Sequence, residues 1–164
     1  MRLKKGYTAV AIIGLVVLYV MIFMLSADDA EQSSEISRAV TGFFYKIYNH
    51  LFQGNMDVIY NDAIQDTLEW EGLIRKLAHF TEYLGVGFLS YSVMTLWFPN
   101  VWKNTGLVMI QLLVSASADE FHQYFVPGRH ASVKDVCIDC TGGIAGILLF
   151  QLLYFFGKKI KGYR

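Results

Sequence analysis

A chain of 164 residues, of which 54 % are hydrophobic, 15 % aromatic and 17 % charged, with mean hydropathy +0.37, fits one domain and resembles a small membrane protein more than a soluble one. Its formal net charge is zero, so it carries no electrostatic footprint for nucleic acid. Its two cysteines, Cys137 and Cys140, form a C-x-x-C inside an apolar run; without the βαβ context of a redox motif they read as small packing residues.

Arg2, Lys4 and Lys5 precede an uncharged run from Tyr7 to Leu25, long enough to cross a membrane and longer than the apolar region of a cleaved signal peptide. Residues 27–75 read as an extracytoplasmic helical segment. Val40, Phe43, Phe44, Ile47, Tyr48 and Leu51 recur there at helical spacing, as in an amphipathic helix at the membrane surface. Gly54 and Asn55 break that pattern, and Val58, Ile59, Ile64, Leu68 and Trp70 suggest a second short helix. The blander reading is that both apolar faces cover the outer ends of the spans.

A second span is expected over 77–98, about 33 Å long as a helix, ended by Pro99 and Asn100. Arg75, His79 and Glu82 share one face of it, at i, i+4 and i+7. The third span, 104–125, carries a polar seam of Gln111, Ser115, Asp119 and His122. Val126, Pro127, Gly128 and Arg129 form a short turn into the fourth span, 136–156, led by Asp135 and striped with Asp139, Gly142, Gly143 and Gly146. Gly142 and Gly146 make a G-x-x-x-G, which lets a neighbouring helix approach closely. Leu148–Phe156 is apolar on all sides and suits a lipid-facing surface. His50 and His130 read as lone, exposed loop residues.

Charge sets the expected orientation. Arg2, Lys4, Lys5, Lys103, Lys158, Lys159, Lys161 and Arg164 occupy the two ends and the 99–105 loop, which hold no acid. The positive-inside rule then places both termini in the cytoplasm, with four spans between them. It follows that His79, Glu82, Asp119, Glu120 and Asp139 lie roughly 3 to 10 Å below the outer membrane boundary, with Arg75, Lys76, Arg129 and Lys134 around them. Ionisable groups at that depth are costly and usually mark function. Three chemistries suit such a pocket: a divalent metal on His79, His122 and carboxylates, acid–base work by closely spaced carboxylates, and phosphate binding by a basic rim with Arg129. No H-E-x-x-H or comparable metal spacing is present. Pairing of Arg75 with Glu82, Lys76 with Glu120 and Arg129 with Asp135 would instead make the cluster a helix-tying network.

Taken together, Arg75-Lys76-Leu77-Ala78-His79-Phe80-Thr81-Glu82-Tyr83, Asp119-Glu120-Phe121-His122-Gln123, Val126-Pro127-Gly128-Arg129 and Asp135-Val136-x-Ile138-Asp139-x-x-Gly142 closely resemble the VanZ-like family of bacterial membrane proteins. Ser26, Ser33 and Ser37 resemble that family's serine-bearing segment after the first span. Some relatives carry Asn at the position of Asp139 and many lack the acid at Asp119, so His79, Glu82, Glu120, Gln123, Arg129 and Asp135 match more firmly. The resemblance implies a single all-α integral membrane domain and a link to low-level resistance to teicoplanin, a glycopeptide; it assigns no catalytic residue.

These readings converge on one expectation: a multi-pass protein of the bacterial cytoplasmic membrane, four transmembrane helices plus one or two interfacial helices. Its outer-leaflet pocket would engage membrane lipids or lipid-linked cell-wall precursors, with the glycopeptide affected only indirectly. In it, His79, Glu82, Asp119 and Glu120 form the polar centre, and Arg75, Lys76, His122, Gln123, Arg129, Asp135 and Asp139 bind or orient an anionic group. The rival is a non-enzymatic scaffold with a purely structural cluster. A transport path is disfavoured, since Gln111, Ser90 and Ser92 are the main polar groups deeper in the spans.

Overall fold

The computed structural model describes residues 2–52 and 67–162. Among these residues the chain is all helical: α1 (Arg2–Ala27), α2 (Ala30–Phe52), α3 (Thr67–Trp97), α4 (Val101–Gln123) and α5 (Val133–Gly162), with no strand. α1 and α5 are long and apolar enough to cross a membrane: 18-residue windows within Leu3–Ala27 and Val133–Gly157 have mean hydropathies of 2.8 and 1.9.

Local chemistry explains the boundaries. Asp29 Oδ1 accepts from the Gln32 N–H at 2.9 Å and caps α2. α3 stops before Pro99, which disfavours helical backbone in the residue ahead of it. Asn100 then starts α4, its side chain accepting from the Lys103 N–H at 3.0 Å. Between α4 and α5 the Arg129 N–H reaches the Val126 carbonyl at 3.1 Å. Gly128 sits at φ 74°, so Val126-Pro127-Gly128-Arg129 is a type II turn that requires glycine at its third position. Ser132 Oγ accepts from the Lys134 N–H at 3.2 Å and opens α5.

One sequence expectation needs correction. Leu68 and Trp70, assigned to a separate short helix, belong to α3, which begins at Thr67 and runs without interruption. Gly72 is the lone breaker in that stretch, and an isolated glycine does not end a helix. Gly54, Asn55, Val58, Ile59 and Ile64 lie outside the described residues. His50 is exposed as expected, but on the last turn of α2 rather than in a loop.

α3 and α5 form the closest pair of the bundle. A Cβ added at Gly87 would strike the Gly143 carbonyl, one at Gly142 the Phe80 carbonyl, and one at Gly146 the Leu84 carbonyl. The G-x-x-x-G therefore serves packing within the chain. Tyr83, Val86 and Tyr91 of α3, Val108, Leu112 and Ala116 of α4, Ile147 of α5 and Ile22 of α1 make the core. Cys140 packs against that core and Cys137 is exposed; both are free thiols.

The bundle has two chemically distinct ends. At one, Lys4 Nζ donates to the Leu96 carbonyl at 3.2 Å and Trp97 Nε1 to Thr8 Oγ1 at 3.0 Å, so the start of α1 lies against the end of α3. At the other, the end of α1 meets the end of α4, where Gln123 Nε2 donates to Ser26 Oγ at 3.3 Å. α2 packs against α3 and buries Ser33 and Ser37, while Val40, Phe43, Ile47 and Leu51 are exposed.

Candidate functional site

At that second end, α3, α4 and α5 each deliver one ionisable side chain to a single point. His79 Nδ1 lies 3.7 Å from Asp119 Oδ2 and 3.6 Å from Asp139 Oδ1, distances of ion pairing rather than hydrogen bonding. Asp139 is fully buried at 0 % exposure and Asp119 is nearly so. Asp139 reaches this depth because Gly142, one turn on, lets α5 press against the α3 backbone at Phe80, the residue beside His79. Glu82, also buried, is within electrostatic reach of all three.

A cavity of about 30 Å³ opens beside this trio, lined by Arg75, Lys76, His79, Glu120, Gln123, Asp135, Ile138 and Asp139. That is room for one or two water-sized groups. Glu120 holds one wall in place: its Oε2 accepts the Ser132 N–H at 2.6 Å. A carboxylate at the first turn of α5 is also favoured by the helix dipole. Its other oxygen, Oε1, is buried without a hydrogen bond.

Gln123 and Arg129 build a second layer. Gln123 Nε2 donates to Asp119 Oδ2 at 3.0 Å as well as to Ser26, and its Oε1 accepts from Arg129 Nη1 at 3.4 Å. Arg129 donates through Nη2 to the Leu25 carbonyl at 3.1 Å and through Nε to the Asp28 carbonyl at 3.2 Å. Its guanidinium thus satisfies the carbonyls at the C-terminal end of α1, where positive charge is favoured. Burial, then the neighbouring Arg75 charge, lowers its proton affinity from the usual arginine value.

Nine of the eleven residues singled out from sequence therefore meet here: His79, Glu82, Asp119 and Asp139 at the centre, Arg75, Lys76, Glu120, Gln123 and Asp135 around the cavity. Two do not. Arg129 spends all three of its nitrogens on the Leu25 and Asp28 carbonyls and the Gln123 side-chain amide instead of facing the cavity. His122 turns towards α1 and stacks on Phe23, ring centroids 4.6 Å apart. None of the pairs Arg75–Glu82, Lys76–Glu120 or Arg129–Asp135 forms an ion pair; within this cluster the ion pairs are the two made by His79.

Sequence reasoning named Tyr83 in the motif but gave it no place in the site; it is fully buried with a hydroxyl lacking any hydrogen bond. It stands four residues after His79, so the helical spacing that grouped Arg75 with His79 also reaches it. Ser132 was missed too, since nothing in the turn's composition announces a bond to Glu120.

The chain belongs to the VanZ/LLP1 family, whose model matches residues 11–154. Neither a curated protein nor a solved structure matches it.

Proposed function

We propose that this VanZ/LLP1 protein is a four-span protein of the bacterial cytoplasmic membrane, both termini inside, with α2 as an interfacial helix. Its outer-leaflet pocket binds the anionic headgroup of a membrane lipid or lipid-linked envelope precursor, and thereby alters susceptibility to teicoplanin-type glycopeptides. Several features support the topology. α4 has 23 residues, about 34 Å of helix against a hydrocarbon core of about 30 Å. The basic start of α1 contacts the end of α3, next to Lys103, and the acid-rich site occupies the other end. The exposed Val40, Phe43, Ile47 and Leu51 suit α2 to a membrane surface.

The observation that carries the headgroup reading is the cavity wall. Arg75 and Lys76 line it, and among the described residues neither forms an ion pair, which leaves them able to hold an anion. The small volume admits only the leading oxygen atoms of a phosphate; the remainder of the lipid stays outside the helices. His79 and Glu120 then face those atoms as the polar centre, with Glu82 behind them in electrostatic reach of His79.

Native mass spectrometry of gently purified protein tests this directly. An anionic lipid should co-purify with the wild type and be lost, by roughly tenfold or more, from Arg75→Ala/Lys76→Ala, in keeping with two charge-assisted contacts. His79→Ala and Glu120→Ala, at matched membrane abundance, should change teicoplanin susceptibility. If neither bound lipid nor susceptibility moves in any of these variants, the pocket is not the working part. The scaffold reading is favoured for one portion of the cluster only: Ser26, Gln123 and Arg129 are mutually satisfied and tie α1 to α4.

A further inference from the structure

Among the described residues, the carboxylates at the centre of the site outnumber the cations set against them. One imidazole serves Asp119 and Asp139, with Glu82 close by, and neither Arg75, Lys76 nor Arg129 pairs with them. Asp139 is wholly buried, yet neither of its carboxylate oxygens has a hydrogen-bond partner. His79 Nδ1, between the two aspartates, also lacks one. Two buried carboxylates that share one imidazole are strongly disfavoured unless a further cation meets them.

The geometry points to a mononuclear divalent-cation site made by His79 Nδ1 with one carboxylate oxygen each from Asp119 and Asp139. These donor atoms all lie within 4.8 Å of one another. Bonds of about 2.1 Å in a tetrahedral shell set donors about 3.4 Å apart. The 3.7 and 3.6 Å separations from His79 need only slight contraction to reach that. One imidazole with two carboxylates suits zinc or manganese rather than a soft metal such as copper(I), which takes thiolates. Gln123 supplies the support that ligands of this kind need, donating to Asp119 while Arg129 holds the Gln123 amide in register. The cavity lined by His79 and Asp139 leaves room for water at the remaining coordination positions. This site goes beyond the headgroup reading and stands without it.

The test uses the full chain in detergent, stripped with EDTA, then loaded with Zn²⁺ or Mn²⁺ and desalted. Plasma mass spectrometry should find about one metal per chain, as a single three-residue site requires. Asp139→Asn and His79→Gln should weaken binding by on the order of 100-fold or more, and Gln123→Leu by about 10- to 100-fold as a supporting residue. Cys137→Ser/Cys140→Ser should bind as wild type does. Arg75→Ala/Lys76→Ala should keep the metal while losing lipid, which separates this assignment from the headgroup proposal. Should Asp139→Asn fail to elute as folded protein, His79→Gln decides. The site is overturned if the wild type retains neither metal, if both ligand variants retain it, or if the cysteine variant loses it.

Discussion

Midway along the bundle, Gln111 Nε2 donates to the Tyr19 hydroxyl at 3.0 Å and to Ser90 Oγ at 2.9 Å. Gln151 Nε2 donates to the Tyr91 hydroxyl at 2.9 Å, and the Tyr7 hydroxyl to Ser92 Oγ at 2.9 Å. These groups are neutral, and each bond joins two helices. Beside His79 the buried polar groups are ionisable and several have no partner: both Asp139 oxygens, His79 Nδ1, Glu120 Oε1 and the Tyr83 hydroxyl. The contrast separates polar groups that hold helices together from polar groups kept available. A neutral amide can be satisfied by one or two neighbours, whereas a desolvated carboxylate needs positive charge, and Asp119 and Asp139 share a single imidazole for it.

Arg129 is the strongest way to break that contrast, because it sits at the acidic end yet behaves like the middle of the bundle. Arg129→Ala removes three hydrogen bonds from a charged donor and should lower unfolding stability in detergent by about 3 kcal/mol. Arg129→Lys, which keeps the charge without the planar fork, should recover only part. Thermal unfolding checks both; an unaffected melting point would mean that the cap on α1 is dispensable. Next in size, Asp139→Asn should raise the stability of the metal-stripped protein by about 1 to 2 kcal/mol, since it removes a buried charge that shares its one imidazole with Asp119 and has no hydrogen bond. A fall of that size would show Asp139 to be a tying residue like the mid-bundle amides. The smallest effect is expected in the middle: Gln111→Ala should cost about 1 kcal/mol, typical of interhelical hydrogen bonds within membranes, and leave bound lipid and metal unaltered. Loss of either ligand on this substitution would join the two layers into one functional path.

Much of the site was legible because helical spacing and charge position are both linear properties. Arg75, His79 and Glu82 share a face by counting alone, and Asp119–Gln123 and Asp135–Asp139 flank the same short turn. The separate fates of Arg129 and Asp139 were not. Arg129 follows a turn whose left-handed Gly128 reverses the chain, and only the packed fold shows that reversal ending on the carbonyls of Leu25 and Asp28, some hundred positions away in sequence. His122 was grouped with the acids on the seam spacing of α4. It faces α1 instead, on the side of the helix where Phe23 offers a ring to stack on.

Composition, apolar run length and the placement of breakers were enough to determine an all-helical chain, its helix ends near Pro99 and Gly128, and an acid-rich end opposite a basic one. These follow from local backbone preference and from the cost of burying charge, neither of which needs the partner helix to be known. Tertiary structure alone decided which acids share an imidazole, and which cations are spent on backbone instead. That choice depends on the depth to which α5 slides against α3, and contact of glycine with backbone at Gly87, Gly142 and Gly146 sets that depth.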